Sequence, residues 1–156
     1  MNLIDIQYVM RNAFLTDCIN YFDWANDDQV RKHSNNTELI EWESHKEWFG
    51  KSVNDPKKRM FVFVEKELPH TPIGQVRFEL VDDSWWLSYS IGANYRGKGL
   101  AKKMVTDALT NLQQHNKVIS VKAQVKADNV ISNKVFSGLG WDKKEDSYEL
   151  KKGVQL

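Results

Sequence analysis

Apolar residues recur along this chain at two periods, close to two and close to 3.6, and the switches between them mark its elements. Ile4 to Met10 reads as a short first strand. Thr16 ahead of Cys18, Ile19, Phe22 and Trp24 reads as the N-cap of a helix, with Asp17 in the first turn. The polar cluster Asn26-Asp27-Asp28 interrupts it, Gln29 to His33 adds a further turn or two, and Ser34-Asn35-Asn36 is a loop. A second helix is predicted from about Leu39 to Val53, opening near Thr37 or Glu38 and closed by Asn54-Asp55-Pro56. Trp42, His45 and Phe49 lie three and four apart on one face of it, with Trp48 on the border.

The period then drops to two. Met60 to Glu65 reads as a strand, Leu68-Pro69-His70-Thr71-Pro72 as a turn, and Ile73 to Val81 as another strand. That strand places Val76, Phe78 and Leu80 on one face and Gln75, Arg77 and Glu79 on the other. Asp82-Asp83-Ser84 makes a hairpin into Trp85 to Ile91. After the glycines at 97 and 99, Ala101, Met104, Val105, Ala108, Leu109 and Leu112 form the inward stripe of a helix. Lys102, Lys103, Thr106, Asp107 and Asn111 form its outer face. Ile119, Val121, Ala123 and Val125 alternate as a strand, Asn129 to Leu139 is a shorter helix ending at Gly140, and Tyr148-Glu149-Leu150 belongs to a last strand. Hairpins first and helical crossovers later predict a single α/β domain over residues 1–156, with helices on both faces of one mixed sheet.

Composition narrows the setting without changing this outline. A length of 156 residues suits one core. A net charge of +1 gives no field that would draw nucleic acid or an anionic membrane. The single cysteine, Cys18, cannot form an intramolecular disulfide and suits core filling in a reducing compartment. No run is long enough to span a bilayer and the first residues lack a signal-peptide core, so a cytoplasmic location is expected. Four scattered histidines have no ligand spacing, so no metal site is expected. Among the six tryptophans, Trp85 and Trp86 are candidates for an exposed aromatic homodimer face, with core packing as the alternative.

The chemistry concentrates in Asn94 to Met104. Here a strand runs through a glycine-rich turn into a helix N-terminus, whose unpaired N–H groups and dipole suit an anion such as a phosphate. Arg96 and Lys98 add charge. The spacing fits neither the Walker loop nor the dinucleotide fingerprint, which fails at Lys102. What remains is Arg96-x-x-Gly99-x-Ala101. With Asn129, Asn133 and Phe136, then Gly138-Leu139-Gly140-Trp141, it resembles the paired signatures of the GCN5-related N-acetyltransferase (GNAT) superfamily over nearly the whole chain.

That resemblance implies acetyl-CoA as co-substrate. Its pyrophosphate would lie on Arg96, Gly97, Lys98, Gly99, Leu100 and Ala101, and its pantetheine between the backbone of Tyr89, Ser90 and Ile91 and the helix face carrying Asn129, Asn133 and Phe136. A main-chain N–H would polarise the thioester carbonyl. It also implies a carboxylate base and a tyrosine acid where this chain has Gln124 and Phe136, and neither of these transfers a proton. Glu79, Ser88 and Tyr148 are the replacement candidates, each with a solvated strand residue as the alternative reading.

For the acceptor, Trp24-Ala25-Asn26-Asp27-Asp28-Gln29-Val30-Arg31, followed by His45 and Trp48, is similar to the branch that acetylates nucleotide-linked amino sugars of surface glycans, as in the pseudaminic-acid pathway. Arg31, Lys32, Trp42, His45 and Arg77 would supply the basic and aromatic contacts of a small amine acceptor of this kind. His45 could equally be a packed core histidine. Ribosomal-protein N-termini, aminoglycosides or polyamines are the competing acceptors, and a catalytically silent CoA-binding module is the reading of another class.

Overall fold

The computed structural model describes residues 7–67 and 69–151, the side chain of Lys151 aside. Seven strands form one sheet in the order β1-β2-β3-β4-β5-β7-β6. They are β1 (Tyr8–Asn12), β2 (Lys58–Glu65), β3 (Pro72–Val81), β4 (Ser84–Ile91), β5 (Ser120–Gln124), β6 (Asp142–Lys143) and β7 (Ser147–Lys151). All neighbours are antiparallel except β4 and β5. Between them run α1 (Cys18–Ala25), α2 (Asp28–Lys32), α3 (Trp42–Ser52), α4 (Leu100–His115) and α5 (Val130–Gly138).

The alternation on β3 decides which face each helix covers. Val76 and Phe78 are buried with Phe61, Leu87, Trp85 and the stripe Met104, Val105, Ala108, Leu109 and Leu112 of α4. Burial of each Val, Leu, Met or Phe side chain here contributes about 1.5–3 kcal/mol. On the opposite face Met60, Val62 and Val64 pack with Tyr21 of α1 and Phe49 of α3. The predicted mixed α/β sheet between two helical layers is the observed architecture, and the inward stripe of α4 is the predicted one with Leu100 added. Among the described residues no helix is long and apolar enough to cross a membrane.

Several boundaries differ from the sequence reading, each for a physical reason. Ile4 to Ile6 of the predicted first strand, and Leu68 of the turn, lie outside the described residues; β1 starts at Tyr8 and continues to Asn12. Thr16 does not cap α1: it lies in a 3-10 turn over Leu15–Asp17, and Asp17 directly precedes the helix. The carboxylate of Asp17 is buried there, accepting from both terminal nitrogens of Arg11 at 2.7 and 3.0 Å and from the backbone N–H of Phe14 at 2.7 Å. Helix α3 starts at Trp42 rather than Leu39, because the Asn26 amide clamps Ile40. Its Oδ1 accepts from the Ile40 N–H at 2.8 Å and its Nδ2 donates to the Ile40 carbonyl at 2.9 Å. Ser84, expected in the hairpin turn, already belongs to β4, and the short β6 gave no periodic signal. Trp85 is 3% exposed in the core and cannot form an outer face; Trp86 is half-buried on the other side of the sheet.

Candidate functional site

The parallel pair at the centre of the sheet comes apart. β4 and β5 are in register only from Ser84 to Trp86, opposite Ser120 to Lys122. Beyond that, Leu87 to Ile91 pair with β3 alone, and Ala123 and Gln124 with β7 alone. A wedge-shaped gap therefore opens toward the C-terminal ends of the two strands, with the backbone edge of Tyr89, Ser90 and Ile91 along one bank. Across the gap, on the α4 side, the Tyr89 hydroxyl meets the Ser132 hydroxyl of α5 at 2.8 Å. Burial raises the Tyr89 phenol above its ordinary range, while the Ser132 contact opposes the rise.

At the mouth of the gap the chain makes the glycine turn. Ala93–Tyr95 is a single 3-10 turn, Gly97 and Gly99 both have φ near +76°, and Gly99 is the N-cap of α4. A side chain at either glycine would be strained in this left-handed conformation. No side chain caps α4 and its first turn holds no acidic residue, so its unpaired N–H groups stay free for an anion. Lys98 stands nearby over the Tyr95 ring, 5.4 Å from its centroid. Arg96 takes a different position from the phosphate-facing one expected. Its Nε donates to the Ile91 carbonyl at 3.1 Å and its terminal nitrogen to Asp27 at 2.7 Å.

The Asn-led helix supplies the far bank, chiefly as architecture. Asn129 caps α5, its side chain accepting from the Ser132 N–H. Asn133 donates to the carbonyls of Lys126 and Asn129 at 3.0 and 2.8 Å, and its Oδ1 accepts from the Tyr148 hydroxyl at 2.7 Å. Phe136 is 1% exposed, stacked on Tyr148 and packed against Tyr89 and Trp141. Tyr148 thus sits on the α4 and α5 side of the sheet with its hydroxyl engaged. Glu79 and Ser88 lie on the opposite face, in adjacent cross-strand pairs, Glu79 with Trp86 and Arg77 with Ser88. The three candidates for proton transfer are not brought together: Glu79 is exposed, Ser88 half-buried and Tyr148 buried.

On that opposite face an aromatic wall rises beside the gap. The Arg77 guanidinium lies over the Trp48 ring at 5.3 Å, and Lys58 lies over the same ring at 5.6 Å. Behind Trp48 comes His45, then Trp42 at 6.1 Å from His45. His45 is 3% exposed and its Nε2–H donates to the Cys18 carbonyl at 2.8 Å, which places it behind the wall rather than on its surface. Burial lowers the His45 pKa, the Cys18 contact opposes this, and the Arg77 charge lowers it further, so the ring is neutral near pH 7. Trp42 is 37% exposed at the outer end of the row. Ser90 is buried, its hydroxyl accepting from Gln75 Nε2 at 3.1 Å. Arg31, expected to face the acceptor, instead binds the carbonyls of Ala25, Asn36 and Glu38 and the Ser34 hydroxyl. Its row of contacts fixes the loop after α2.

Sequence reading missed Ser132 beside the gap and the contact of Asp27 with Arg96. The i, i+3 spacing from Asn129 could have suggested Ser132, whereas nothing local in the sequence ties Asp27 to Arg96, sixty-nine residues on. Among the described residues no group of His, Cys, Asp and Glu side chains could hold a metal ion.

A split parallel pair, with an uncapped glycine-bounded helix start at its mouth, offers free N–H groups to an anion and an open strand edge to an extended chain. The sequence matches the family described as Acetyltransferase (GNAT) domain over residues 8–142, and the chain belongs to that family as an N-acetyltransferase. No curated protein sequence matches it. Among solved structures it is similar to a domain from Methanocaldococcus jannaschii DSM 2661, with a TM-score of 0.80 at 19% identity over 92% of this chain and 97% of that one. It is also similar to the spermidine N-acetyltransferase from Vibrio cholerae solved with CoA and spermine, with a TM-score of 0.83 at 14% identity over 94% and 96% of the chains. A third similar structure is the ribosomal-protein-alanine N-acetyltransferase from Brucella melitensis, with a TM-score of 0.76 at 16% identity over 92% and 99%. At these identities the likeness is one of fold.

Proposed function

We propose that the protein transfers the acetyl group of acetyl-CoA to the amine of a small acceptor that also carries an anionic group, a nucleotide-linked amino sugar fitting best. The observation that carries the acceptor class is Arg77. Its guanidinium is half-buried against Trp48 and has no hydrogen bond or ion pair to any described residue. Burial of this charge outweighs its attraction to Tyr21 and Glu79, so an anionic acceptor group at this point is favoured. Lys58 on the same ring and Lys122 over Trp86 add positive charge, which opposes a polyamine. Trp48, Trp42 and Trp86 offer ring faces for a sugar or base.

In this reading the pyrophosphate of acetyl-CoA lies on the N–H groups from Gly97 to Ala101, and Lys98 adds charge. The pantetheine runs along the Tyr89–Ile91 edge, past Asn129 and Phe136. The acetyl group then emerges on the Arg77 face, where the acceptor amine is held against the thioester. Glu79, through a water ordered by Ser88, takes the amine proton. The departing thiolate is protonated from the Tyr89–Ser132 hydroxyl pair, the hydroxyls that span the gap beside Phe136. Tyr148 holds Asn133 and the helix rather than transferring a proton.

The test is thiol release from acetyl-CoA with a UDP-linked amino sugar, spermidine and an alanine-terminated peptide as acceptors; the last two follow the names of the similar solved structures. The sugar nucleotide is expected to show the highest kcat/KM. A higher value for spermidine or the peptide would overturn the acceptor assignment and leave the acetyl-transfer chemistry standing.

A further inference from the structure

Residues 27–36, comprising the end of the α1–α2 turn, α2 and the loop after it, cross the open end of the gap and are fastened on both banks. On the β4 bank, Asp27 Oδ1 accepts from Arg96 at 2.7 Å while also accepting from the N–H groups of Gln29 and Val30 at 3.0 and 3.3 Å, so one oxygen caps α2 and binds the donor turn. On the β5 bank, Asn35 Nδ2 donates to Gln124 Oε1 at 2.9 Å, and Lys126 Nζ reaches the Lys32 carbonyl at 3.4 Å. His33 lies 3.9 Å from Asp128 on the same bank. Between the fastenings Arg31 bonds to Ser34 and Asn36 within the segment and to the carbonyls of Ala25 and Glu38 on either side of it.

We infer that residues 27–36 form a clasp over the acceptor side of the gap, with Asp27 and Arg96 as positioning residues that couple the donor turn to the place where the acceptor binds. Three observations carry this. The Arg96 guanidinium is spent on Asp27 and on the last residue of β4, leaving the phosphate to the backbone. Gln124, on β5, is engaged by the clasp through Asn35. The Asp27–Arg96 contact is charge-assisted and half-buried, the kind of bond that transmits a shift of the turn rather than absorbing it. When acetyl-CoA orders the turn, Arg96 is fixed, and with it the N-terminus of α2. This rests on the acetyl-transfer reading and not on the identity of the acceptor.

The test uses Asp27→Asn, which retains a side chain able to cap α2 but removes the charge, and Asn35→Ala on the opposite bank. In the wild type, acetyl-CoA is expected to slow amide hydrogen exchange over residues 28–36. In Asp27→Asn that protection is lost, while acetyl-CoA affinity stays within about two-fold and acceptor KM rises about 5- to 20-fold, the size of a typical coupling between sites. Asn35→Ala should raise acceptor KM likewise, and the double variant should be no worse than the worse single one. Unchanged exchange over 28–36 on adding acetyl-CoA to the wild type would overturn the inference. So would a parallel loss of acetyl-CoA affinity and acceptor KM in Asp27→Asn, or fully additive effects in the double variant. If none of the candidate acceptors is acetylated, the acceptor reading fails alone, and the exchange measurement still decides the clasp.

Discussion

The two faces of the sheet present opposite kinds of surface to the gap between β4 and β5. On one, α4 and α5 close a continuous apolar core in which Phe136, Tyr148, Trp141 and Leu100 are almost fully buried. On the other, the helices cluster with Met60, Val62 and Val64 of β2. There Trp86, Ser88, Lys122 and Gln124 of β4 and β5 are left half-buried or exposed. The first bank is fixed by backbone conformation and packing; the second is assembled from polar side chains fastened one by one. Changes to the backbone of the first should therefore abolish binding, whereas single side-chain changes on the second should tune it.

The sharpest break of that contrast would come at Gly99. A β-branched residue at φ +76° is strained by about 1–3 kcal/mol, and the free N–H groups at the start of α4 are displaced with it. Gly99→Val is expected to weaken acetyl-CoA binding by about 100-fold or more, close to 3 kcal/mol, measured by titration calorimetry. Undiminished affinity would show that side chains rather than this turn hold the donor.

Asp17 tests the other face at a distance from the gap. Asp17→Asn removes the charge that binds Arg11 and is expected to cost about 2 kcal/mol in urea unfolding, with kcat unaffected. Burial pushes the Asp17 carboxyl upward, but its contacts with Arg11, Phe14 and Asn20 outweigh this and hold it below 3.8. A carboxyl depressed in the folded state contributes stability above its unfolded pKa and loses it as pH falls. The difference between wild type and variant should therefore be constant above about pH 5 and shrink below 3.8. A difference that persists at pH 2 would mean that packing, not charge, carries the effect.

The same contrast explains what could be read from the sequence. The glycine turn and the helix it opens were legible because glycine spacing with a helical stripe reports main-chain geometry locally. The sheet faces were legible for the same reason, since Val76, Phe78 and Leu80 alternate strictly against Gln75, Arg77 and Glu79. The acceptor side was not. Arg31, Asp27 and Arg96 are cations and an anion in a favourable sequence context, and only tertiary contacts reveal that Asp27 binds Arg96 and that both arginines bind backbone carbonyls. His45 likewise occupies the predicted helical face, yet its hydrogen bond to the carbonyl of Cys18, twenty-seven residues away, has no local signal in the sequence.

Arg77 offers a smaller and more specific effect. Arg77→Met keeps the contact with Trp48 and removes the charge, and acceptor KM is expected to rise about 10-fold, as for loss of one hydrogen bond to a charged group. Acetyl-CoA affinity should be unchanged. Arg77→Lys should recover only part of the loss, because an ammonium cannot offer two parallel donors to one anion. An unaltered acceptor KM in Arg77→Met would leave the anionic acceptor without its recognition element.

The smallest effect is expected at His45, and its pH dependence separates a packing role from a binding one. The ring is buried, and its pKa is lowered from 6.5 by burial and then by Arg77, against the opposing Cys18 contact. Because the folded state disfavours the proton, the unfolded chain takes it up first as pH falls. Wild-type stability should therefore decline below about pH 6.5. His45→Phe retains the ring contacts with Phe22, Trp42 and Trp48 but removes the side-chain donor to the Cys18 carbonyl, which keeps only its intrahelical bond, costing about 1 kcal/mol at pH 7. The variant has no proton to gain there, so its stability should stay flatter, and the two curves should converge toward pH 5. Acceptor KM should remain within about two-fold, since the ring lies behind Trp48 and Trp42 rather than in front of them. Ten-fold weaker acceptor binding with parallel stability curves would instead place the imidazole at the cleft surface, and the wall would have to open to let it out.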